Sequence, residues 1–292
     1  MGRVLAGTTA FVRGDFKQER SFLTLLINLD RAEARLRSMV EQLNILGLPF
    51  ERIAAVDGRA LDFSIADYDE AGFRRRHGRM TNPGEVGCYL SHVACAKRLL
   101  ESTHDHALIL EDDLVLPDNL AVVIDEALAE HRHWDVLRLS SVNDGRKFPV
   151  VALSQTRSLA LSLTREKGSG AYLINRKAAE WICKDLVPMK LPYDIAFDLE
   201  FFDGLRGMFV SPVPISQEAG FPSDIQQGRR FRLPLGQRYP VYVYRAGLEI
   251  ARVAFRASRL AAYRLAALTG RRKSTTPLTT QDNRPVDDNL AA

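Results

Sequence analysis

The chain has 292 residues, of which 46% are hydrophobic and 26% are charged, so its composition excludes disordered and collagen-like proteins. Its three cysteines, Cys88, Cys95 and Cys183, form no CxxC pair and no Cys/His cluster in the sequence, which excludes a disulfide scaffold and a zinc finger. The net charge is +4, but residues 245–292 contribute nine Lys/Arg and four Asp/Glu, or +5, so residues 1–244 sum to −1 and predict no nucleic-acid partner.

The sequence pattern predicts neither a membrane span nor a leader. It contains no run of about 18 uncharged apolar residues of the kind that crosses a bilayer. The N-terminal region includes Arg3 but no apolar stretch typical of a signal peptide. We therefore expect a cytoplasmic protein, and we expect residues 1–20, which show no clear periodicity, to form an N-terminal extension.

The first predicted elements are a strand, a helix and a second strand. Residues 22–28 (FLTLLIN) are a continuous apolar run, as in a strand buried on both faces. Apolar residues then recur at helical spacing up to about Leu46, and Asp30 is a candidate cap for this helix. Residues 50–56 predict the second strand, which ends at Asp57-Gly58. This order begins a βαβ unit and predicts a parallel sheet.

The same alternation continues to about residue 186. Asn82 as N-cap, Pro83 at the first helical position and Glu85 as a capping-box acid predict a helix to about Ser102. Further strands are predicted at 107–110, 134–139, 159–164 and 171–175, and further helices at 117–130, 176–186 and 248–268. Residues 59–80 and 141–158 give no clear pattern. The alternation predicts an α/β fold, a sheet with flanking helices, in a domain over 21–244.

Three adjacent acids, Glu111-Asp112-Asp113, follow the predicted strand 107–110. In open parallel sheets, ligands bind beyond the carboxyl ends of the strands. Ionised carboxylates this close repel one another, and Mn²⁺ or Mg²⁺ would relieve the repulsion while binding diphosphate oxygens. Glu111 and Asp113 point to the same side of an extended segment, so we predict them as the metal ligands. The alternative is a solvated acidic turn without a metal.

Five segments together resemble glycosyltransferase family 25, the lipooligosaccharide galactosyltransferases and their collagen-modifying relatives. They are INLDRAEARLRSM, ERIAAVDG, GEVGCYLSHVACAKRLLE, ALILEDD and GAYLINRKAAE, in the family's order and approximate spacing. The resemblance implies a GT-A-like, Rossmann-related fold, a UDP-sugar donor and an inverting reaction. It also implies that the acidic triplet is a DxD-type metal site, with Asp112 or Glu111 contacting the donor or orienting the site.

Candidate donor-binding residues lie at two corners of the predicted sheet. The resemblance places Asn28, Asp30 and Arg31 near the nucleotide, although a helix cap explains Asp30 equally well. Asp57-Gly58 ends the second strand, where the carboxylate could accept a hydrogen bond from uracil or ribose. A simple turn is the alternative, since Asp-Gly is a common turn dipeptide.

Two further candidates for donor binding come from the third helix and from a glycine-rich segment. Ser91 and His92 lie on the predicted helix 83–102, against the alternative that a single helical histidine is structural. Gly170, in the segment Gly168-Ser169-Gly170, permits close backbone approach to the donor sugar or the acceptor, or else belongs to a hairpin turn.

An inverting transfer needs a general base that takes the proton of the acceptor hydroxyl. Asp194, in LPYD, matches an acid that the family carries after its GAYLI strand and the following helix. Asp198 is the second candidate for a catalytic role, and Glu200 competes with both. The alternative for all three is an irregular surface loop rich in acids.

The last predicted helix has a basic amphipathic pattern. Arg252, Arg256 and Arg259 fall in a narrow arc opposite an apolar arc, and the stretch 274–292 is predicted to be disordered. One reading is contact with an anionic membrane surface, peripheral on the inner face of the cytoplasmic membrane. The other is a helix packed on the core with a solvated arginine face, so that 245–292 is a helix followed by a tail.

The leading hypothesis is a metal-dependent glycosyltransferase. It would move galactose, or next glucose, from a UDP-sugar to a hydroxyl of a glycan or glycolipid acceptor such as lipooligosaccharide. One rival is a metal-dependent nucleotidyltransferase, although no Gly-rich basic phosphate loop lies near the first strand. The other rival is a non-catalytic scaffold with the same fold that acts as a binding protein.

Overall fold

The computed structural model describes residues 21–143, 145–216 and 239–269, so our expectations for 1–20 and 274–292 lie outside the described residues. An eight-stranded sheet forms the centre. Its strands in chain order are β1 (Leu23–Asn28), β2 (Glu51–Ala54), β3 (His106–Leu110), β4 (Val136–Arg138), β5 (Lys147–Ala152), β6 (Ser158–Ser162), β7 (Ala171–Asn175) and β8 (Gly207–Ser211). They lie side by side in the order β2-β1-β3-β7-β4-β8-β6-β5.

Helices flank this sheet, which confirms the predicted α/β fold class. They are α1 (Glu33–Ile45), α2 (Glu70–His77), α3 (Pro83–Glu101), α4 (Leu120–Ala129), α5 (Arg176–Asp185), α6 (Tyr193–Ala196) and α7 (Tyr239–Leu268). Short 3-10 turns at Gly58–Ala60 and Phe197–Asp203 complete the parts that bear on function. Among the described residues, no helix has the length and apolar character needed to cross a membrane.

Successive side chains of β3 pack into different cores. Ala107 and Ile109 contact the core formed with α3 and α5, whereas Leu108 and Leu110 contact the core formed with α1 and α4. Because neighbouring residues of a strand face opposite sides of the sheet, a strand between two cores needs apolar residues at every position. Each such buried side chain stabilises the fold by about 1.5–3 kcal/mol relative to exposure.

The sheet is mixed rather than parallel throughout: in its second half only β4 and β8 pair in parallel, and the other neighbouring strands pair antiparallel. β2, β1 and β3 are parallel, as the βαβ pattern predicts, but β7 lies antiparallel between β3 and β4. The pairing register sets Leu110 opposite Ala171, so the chain enters β7 at the edge where β3 ends. The glycine-rich segment that precedes β7 therefore lies beside the acidic triplet that follows β3.

Several predicted boundaries also need correction. Helix α1 begins after Ala32, and no side chain caps it; Asp30 instead accepts a hydrogen bond from Arg52, so the capping interpretation of Asp30 is wrong. Helix α4 begins at Leu120 rather than at 117, and α7 begins at Tyr239 rather than at 248. Helix α2 and strand β5 form in the two stretches that showed no pattern, because their tertiary contacts, not local periodicity, stabilise them.

Two glycines allow the turn after β2 to lie directly on the first turns of α3. A Cβ at Gly58 would lie 1.7 Å from the carbonyl oxygen of Pro83, and a Cβ at Gly87 would lie 2.3 Å from the carbonyl oxygen of Val56. Real Cβ atoms are not found so close to a backbone atom. The contact between this turn and α3 therefore requires glycine at both positions.

The arginine face of α7 is directed into the protein, contrary to both readings of the sequence. Arg252 and Arg256 are buried, and they pair with the carboxylate of Asp198 at 2.8 and 2.9 Å. Arg256 also pairs with Glu200 at 2.9 Å. A buried carboxylate without a cationic partner is very unfavourable, so these acids orient the helix with its cations inward. Neither the membrane-facing nor the solvated arginine face is present at these two positions.

We predict that Gly58→Ala lowers the free energy of unfolding by at least about 2 kcal/mol, because the added methyl group collides with backbone rather than with a movable side chain. Gly247→Ala is the matched control, since nothing lies within 4 Å of its Cβ position on α7. That control should raise stability by about 0.5–1 kcal/mol through helix propensity. Urea unfolding of both variants measures the difference, and a neutral Gly58→Ala would contradict the described contact.

Candidate active site

The acidic triplet begins where β3 ends, and its middle residue is held by structural partners. Asp112 accepts hydrogen bonds from the Asn28 amide at 2.7 Å and from the Arg35 guanidinium at 3.1 Å. The Asn28 side-chain oxygen Oδ1 in turn accepts from the Arg52 Nε–H at 3.0 Å. This network ties the end of β1 to the end of β3. It fixes the backbone of the triplet, which turns at Asp112 and Asp113 rather than continuing as an extended strand.

Glu111 lies beside the glycine-rich segment and against His92. Its backbone N–H donates to the Gly170 carbonyl at 2.7 Å, continuing the pairing of β3 with β7. Its carboxylate lies 3.1 Å from the His92 Nε2 atom and within 3.4 Å of the Ser169 hydroxyl. The structure thus brings together Glu111, His92 and Gly170, which sequence analysis had nominated from three separate segments.

A buried chain of hydrogen bonds extends from Glu111 towards α6. The His92 Nδ1 atom lies 2.9 Å from the Tyr172 hydroxyl, which lies 3.0 Å from the Tyr193 hydroxyl. The rings of His92 and Tyr193 also stack at 4.1 Å between centroids. Since Tyr193 directly precedes Asp194, this chain connects the acidic triplet with the acid predicted as general base. Sequence analysis missed both tyrosines, because an aromatic residue in an apolar run predicts only a core position.

The charges of four carboxylates act on the Cys88 thiol, and one of them, Glu111, has an oxygen within 4.8 Å of it. Burial raises the pKa of the Cys88 thiol well above its usual range, and the charges of Glu111, Asp194, Glu85 and Asp113 raise it further. These acids come from α3, α6 and the end of β3. The thiol is therefore protonated at neutral pH. The site is an acidic cluster rather than a nucleophilic cysteine centre.

Two of these acids have raised pKa values because burial outweighs their cations. Burial raises the pKa of Asp194, with Asp198 adding to the effect and Arg138 opposing it. Burial also raises the pKa of Glu85, and Asp194 adds to it. Glu85 had been interpreted as a capping-box acid, and sequence analysis did not assign it to the site. The feature of the sequence that could have identified Glu85 as a site residue is its position one helical turn before Cys88.

Asp113 has the surroundings expected of a ligand for a cation. Burial raises its pKa to about 6, the nearby Glu111 charge adds to the rise, and Arg35 opposes it. Its Oδ1 atom is buried without a hydrogen-bond partner among the described residues. A buried oxygen of this kind, next to a second carboxylate, fits a hard divalent ion such as Mn²⁺ or Mg²⁺.

A second donor set overlaps this one. One ligand atom each from Cys88, His92 and Glu111 lie within 4.8 Å of one another. The protonated thiol and the existing contact between His92 and Glu111 make this set less suitable than an oxygen pair for Mn²⁺ or Mg²⁺. The residues present therefore favour Glu111 and Asp113 as ligands for such an ion.

Other predicted site residues have structural partners instead. The Ser91 hydroxyl accepts from the Val56 N–H at 2.9 Å and donates to the Gly87 carbonyl at 2.7 Å, so it holds the turn after β2 to α3. Both of its hydrogen-bonding functions are used within the protein. The expectation that Ser91 contacts the donor is therefore not supported by its position.

The nominated residues after β1 and β2 form an ion pair at the surface. Arg31 pairs with Asp57, and both side chains are partly exposed. Asp57 also caps the 3-10 turn, since its carboxylate accepts from the Arg59 N–H at 3.1 Å. The turn interpretation of Asp57-Gly58 is confirmed. A donor contact by Arg31 or Asp57 stays a prediction.

Asp198 lies in the protein interior, away from any surface a substrate could reach. It is completely buried and contacts Arg138 at 3.3 Å in addition to the two arginines of α7. Glu200 is buried against the same arginine, Arg256. The nomination of Asp198 as a catalytic residue therefore needs correction on physical grounds. Its charge is compensated within the fold, and no acceptor hydroxyl can approach it.

Comparisons with known proteins identify the family of this chain. The profile of glycosyltransferase family 25 (LPS biosynthesis protein) matches residues 22–197, more than half of the chain. A putative glycosyltransferase of Haemophilus influenzae is 24% identical over 219 residues, which are 70% of this chain and 75% of that protein.

Animal proteins match a shorter part. Procollagen galactosyltransferase 1 of Danio rerio is 29% identical over 126 residues, 39% of this chain and 20% of that protein. The inactive glycosyltransferase 25 family member 3 of Mus musculus is 28% identical over 123 residues, 39% of this chain and 21% of that protein. The chain thus spans about a fifth of their length, and it spans 16% to 20% of insect members of the family.

The raised pKa of Asp113 predicts how stability depends on pH. Its folded-state pKa of about 6 exceeds the unfolded value, so the folded protein binds the proton more tightly. The contribution of Asp113 to stability therefore falls as pH rises between about 4 and about 6, and the loss persists above that range. Asp113→Asn removes the ionisable group, so in EDTA it should be more stable than the wild type by about 1–3 kcal/mol near neutral pH and equal to it below about pH 4.

Urea unfolding across this pH range measures the effect. Asp118→Asn, at an exposed position on the approach to α4, is the control and should change stability little at any pH. Equal stability of Asp113→Asn and the wild type at neutral pH would show that Asp113 is not in unfavourable surroundings.

Proposed function

Because the chain belongs to glycosyltransferase family 25, we propose that it is a metal-dependent enzyme that transfers a hexose from a UDP-sugar to a hydroxyl group of a glycan acceptor. The observation that carries this proposal is the convergence of four carboxylates around Cys88, with the buried Asp113 oxygen lacking a partner. An acidic cluster at the carboxyl end of a β-strand suits a cation shared with a diphosphate.

Names of the family and of relatives support the choice of substrates. The description of the family names lipopolysaccharide biosynthesis, and the Danio rerio relative is named a galactosyltransferase. We therefore propose galactose before glucose as the sugar, and a cell-envelope glycan or glycolipid, such as lipooligosaccharide, as the acceptor.

The reaction we propose is a single displacement with inversion. The acceptor oxygen forms a bond to the anomeric carbon from the face opposite the nucleotide, and the bond from that carbon to the diphosphate oxygen breaks. The bonding pair leaves with UDP, and the proton of the acceptor hydroxyl passes to Asp194. A carboxylate whose pKa is raised by burial is a better proton acceptor than a solvated one.

The residues around these atoms would position the reactants. Glu111 and Asp113 would hold Mn²⁺ or Mg²⁺, which when bound supplies positive charge to the leaving diphosphate. His92 and Tyr172 hold the Glu111 side of the cluster in place, and Tyr193 holds the helix that carries Asp194. Arg138 contacts the Gly168 carbonyl at 2.9 Å and Asp198 at 3.3 Å, so it fixes the glycine-rich segment against the turn after α6.

Release of UDP distinguishes this proposal from its rivals. With UDP-galactose, Mn²⁺ and a glycan acceptor, UDP release should depend on all three, and Asp113→Asn should reduce it about a hundredfold or more. Mn²⁺ with UDP should also raise the melting temperature of the wild type but not of Asp113→Asn. A non-catalytic scaffold would release no UDP under any condition, whereas a nucleotidyltransferase would turn over a nucleoside triphosphate and a sugar phosphate. Either result would overturn the assignment.

Paired substitutions at Asp194 and Asp198 separate the base from the structural acid. Asp194→Asn should lower kcat by about 10²–10⁴-fold with little loss of stability, because only proton transfer is removed. Asp198→Asn should lower the free energy of unfolding by about 3 kcal/mol, because it removes the buried carboxylate that pairs with Arg138, Arg252 and Arg256. Initial rates and urea unfolding of both variants provide the test. A fully active Asp194→Asn would exclude it as the base.

A further inference from the structure

Three arginines surround one buried histidine, His77, at the end of α2. Arg79 follows α2, Arg165 lies between β6 and β7, and Arg245 lies on α7. Burial, together with the charges of these three residues, lowers the pKa of His77 to about 3. His77 is therefore neutral at pH 7. The positive charge of this arginine cluster comes from guanidinium groups, which keep their protons.

The arginine cluster has little compensating negative charge among the described residues. The Arg165 guanidinium has no ion pair or hydrogen bond with any of them. Arg245 donates to the His77 carbonyl at 2.8 Å and to the His77 ring at 3.2 Å, and neither acceptor is charged. Arg79 lies 3.8 Å from a Glu85 oxygen. Burial and the charges of Arg165 and Arg79 lower the pKa of Arg245, so the three cations repel one another.

A buried hydrogen-bond donor of His77 also lacks an acceptor. Since the Arg245 guanidinium donates to Nδ1, the neutral ring carries its hydrogen on Nε2. The Nε2 atom lies 4.0 Å from Glu85 Oε2, and neither atom has a hydrogen-bond partner among the described residues. An unpaired buried donor is unfavourable. An oxygen-bearing group between these two atoms would accept from Nε2 and donate to Oε2.

The arginine cluster adjoins the acid that we propose as the general base. Burial raises the pKa of Asp194, and the charges of Arg138 and Arg165 oppose this rise. For Asp113, the opposing charge is instead that of Arg35. In the proposed reaction the acceptor hydroxyl lies beside the base, whereas the diphosphate lies beside the metal ligand Asp113. The cluster is therefore on the acceptor side of the site.

We propose that the arginine cluster binds an anionic group of the acceptor, either a phosphate ester or a sugar carboxylate. This inference rests on the proposed glycosyl transfer, which distinguishes an acceptor side from a donor side. Guanidinium groups form charge-assisted, often paired hydrogen bonds with phosphate and carboxylate oxygens. A bound anion would relieve the repulsion among the three arginines and hold the acceptor hydroxyl next to Asp194. A neutral glycan would leave that repulsion in place, so the cluster selects acidic glycans.

Binding of small sugars tests this site without UDP-sugar or metal, so the result does not depend on whether transfer occurs. Glucose, glucose 6-phosphate and glucuronate share one ring and differ in the charge carried at one carbon. Isothermal titration calorimetry in EDTA should detect binding of at least one of the two anionic sugars but not of glucose, and the affinity should fall as salt is added. The tighter of the two anions identifies a phosphate ester or a carboxylate as the group that is recognised.

Arg165→Gln should weaken the binding of the anionic sugar about tenfold, because one charge-assisted contact is lost. Its melting temperature should equal or exceed that of the wild type, since Arg165 has no described partner and repels Arg245. Arg37→Gln is the matched control, because Arg37 is 72% exposed on α1, and it should bind the sugar as the wild type does.

Four results would each overturn the proposal. They are no binding of either anionic sugar, equal loss of affinity in Arg37→Gln, inorganic phosphate binding as tightly as the anionic sugars, and weaker binding of Mn²⁺-UDP but not of the sugars in Arg165→Gln. The third would show a site for a free anion, and the fourth would assign the cluster to the donor. Absence of UDP release by the wild type contradicts the proposed transfer, whereas these binding results decide the anion site.

Discussion

The negative charge of a buried carboxylate must be neutralised by a nearby cation or by a proton. How this is done separates the carboxylates that stabilise the fold of this protein from those of the candidate active site. Asp198, Glu200 and Asp112 are matched with arginine guanidinium groups within the fold. Asp113 has a buried oxygen that no described group satisfies, and it belongs to one cluster with Glu85, Glu111 and Asp194. Since an unmatched buried charge is unfavourable, Asp113 is more stable when it carries a proton or lies next to a bound cation. The unmatched carboxylate lowers the stability of the fold, and it is the basis of the proposed metal binding.

The antiparallel insertion of β7 brings the parts of this cluster together. A fully parallel sheet would have set the start of β7 at the far edge from the end of β3. The observed register instead puts Gly170 against Glu111 and sets Tyr172 within reach of His92. The buried hydrogen bonds through Tyr172 and Tyr193 then connect two segments that lie far apart in sequence. Rigid placement of both acids is what a displacement reaction requires, because the two reacting oxygens must lie on opposite faces of one carbon.

The buried ion pairs of helix α7 also determine which of its residues lie on the surface of the protein. Two of its arginines pair in the protein interior with Asp198 and Glu200, in the turn after α6. The apolar residues on the opposite side of the helix therefore lie on the surface. The same contacts join α7 to the segment that follows Asp194. In this arrangement α7 supports the segment that follows the proposed catalytic acid.

Much of the fold could be read from the sequence. The apolar runs of β1 and β3, the helical spacing of α1 and α5, and the cap Asn82 with Pro83 at the start of α3 are local signals, since each depends on residues within a few positions. The same is true of the acidic triplet after β3 and of the five segments that resemble the family. These signals sufficed for the α/β class, the family and most of the acids in the cluster.

The tertiary structure alone decided the rest. It distinguished Asp194 from Asp198, gave Ser91 and Asp57 structural partners, brought in Glu85 and the two tyrosines, and turned the arginines of α7 inward. Apart from the cap that Asp57 forms with Arg59, these outcomes depend on partners in other elements, such as Val56 for Ser91, which is 35 positions away. Periodicity carries no information about such partners. An amphipathic pattern predicts that charges face water because solvation is the usual way to compensate them. When the compensating charge comes from a distant part of the chain, only the folded arrangement shows which face is buried.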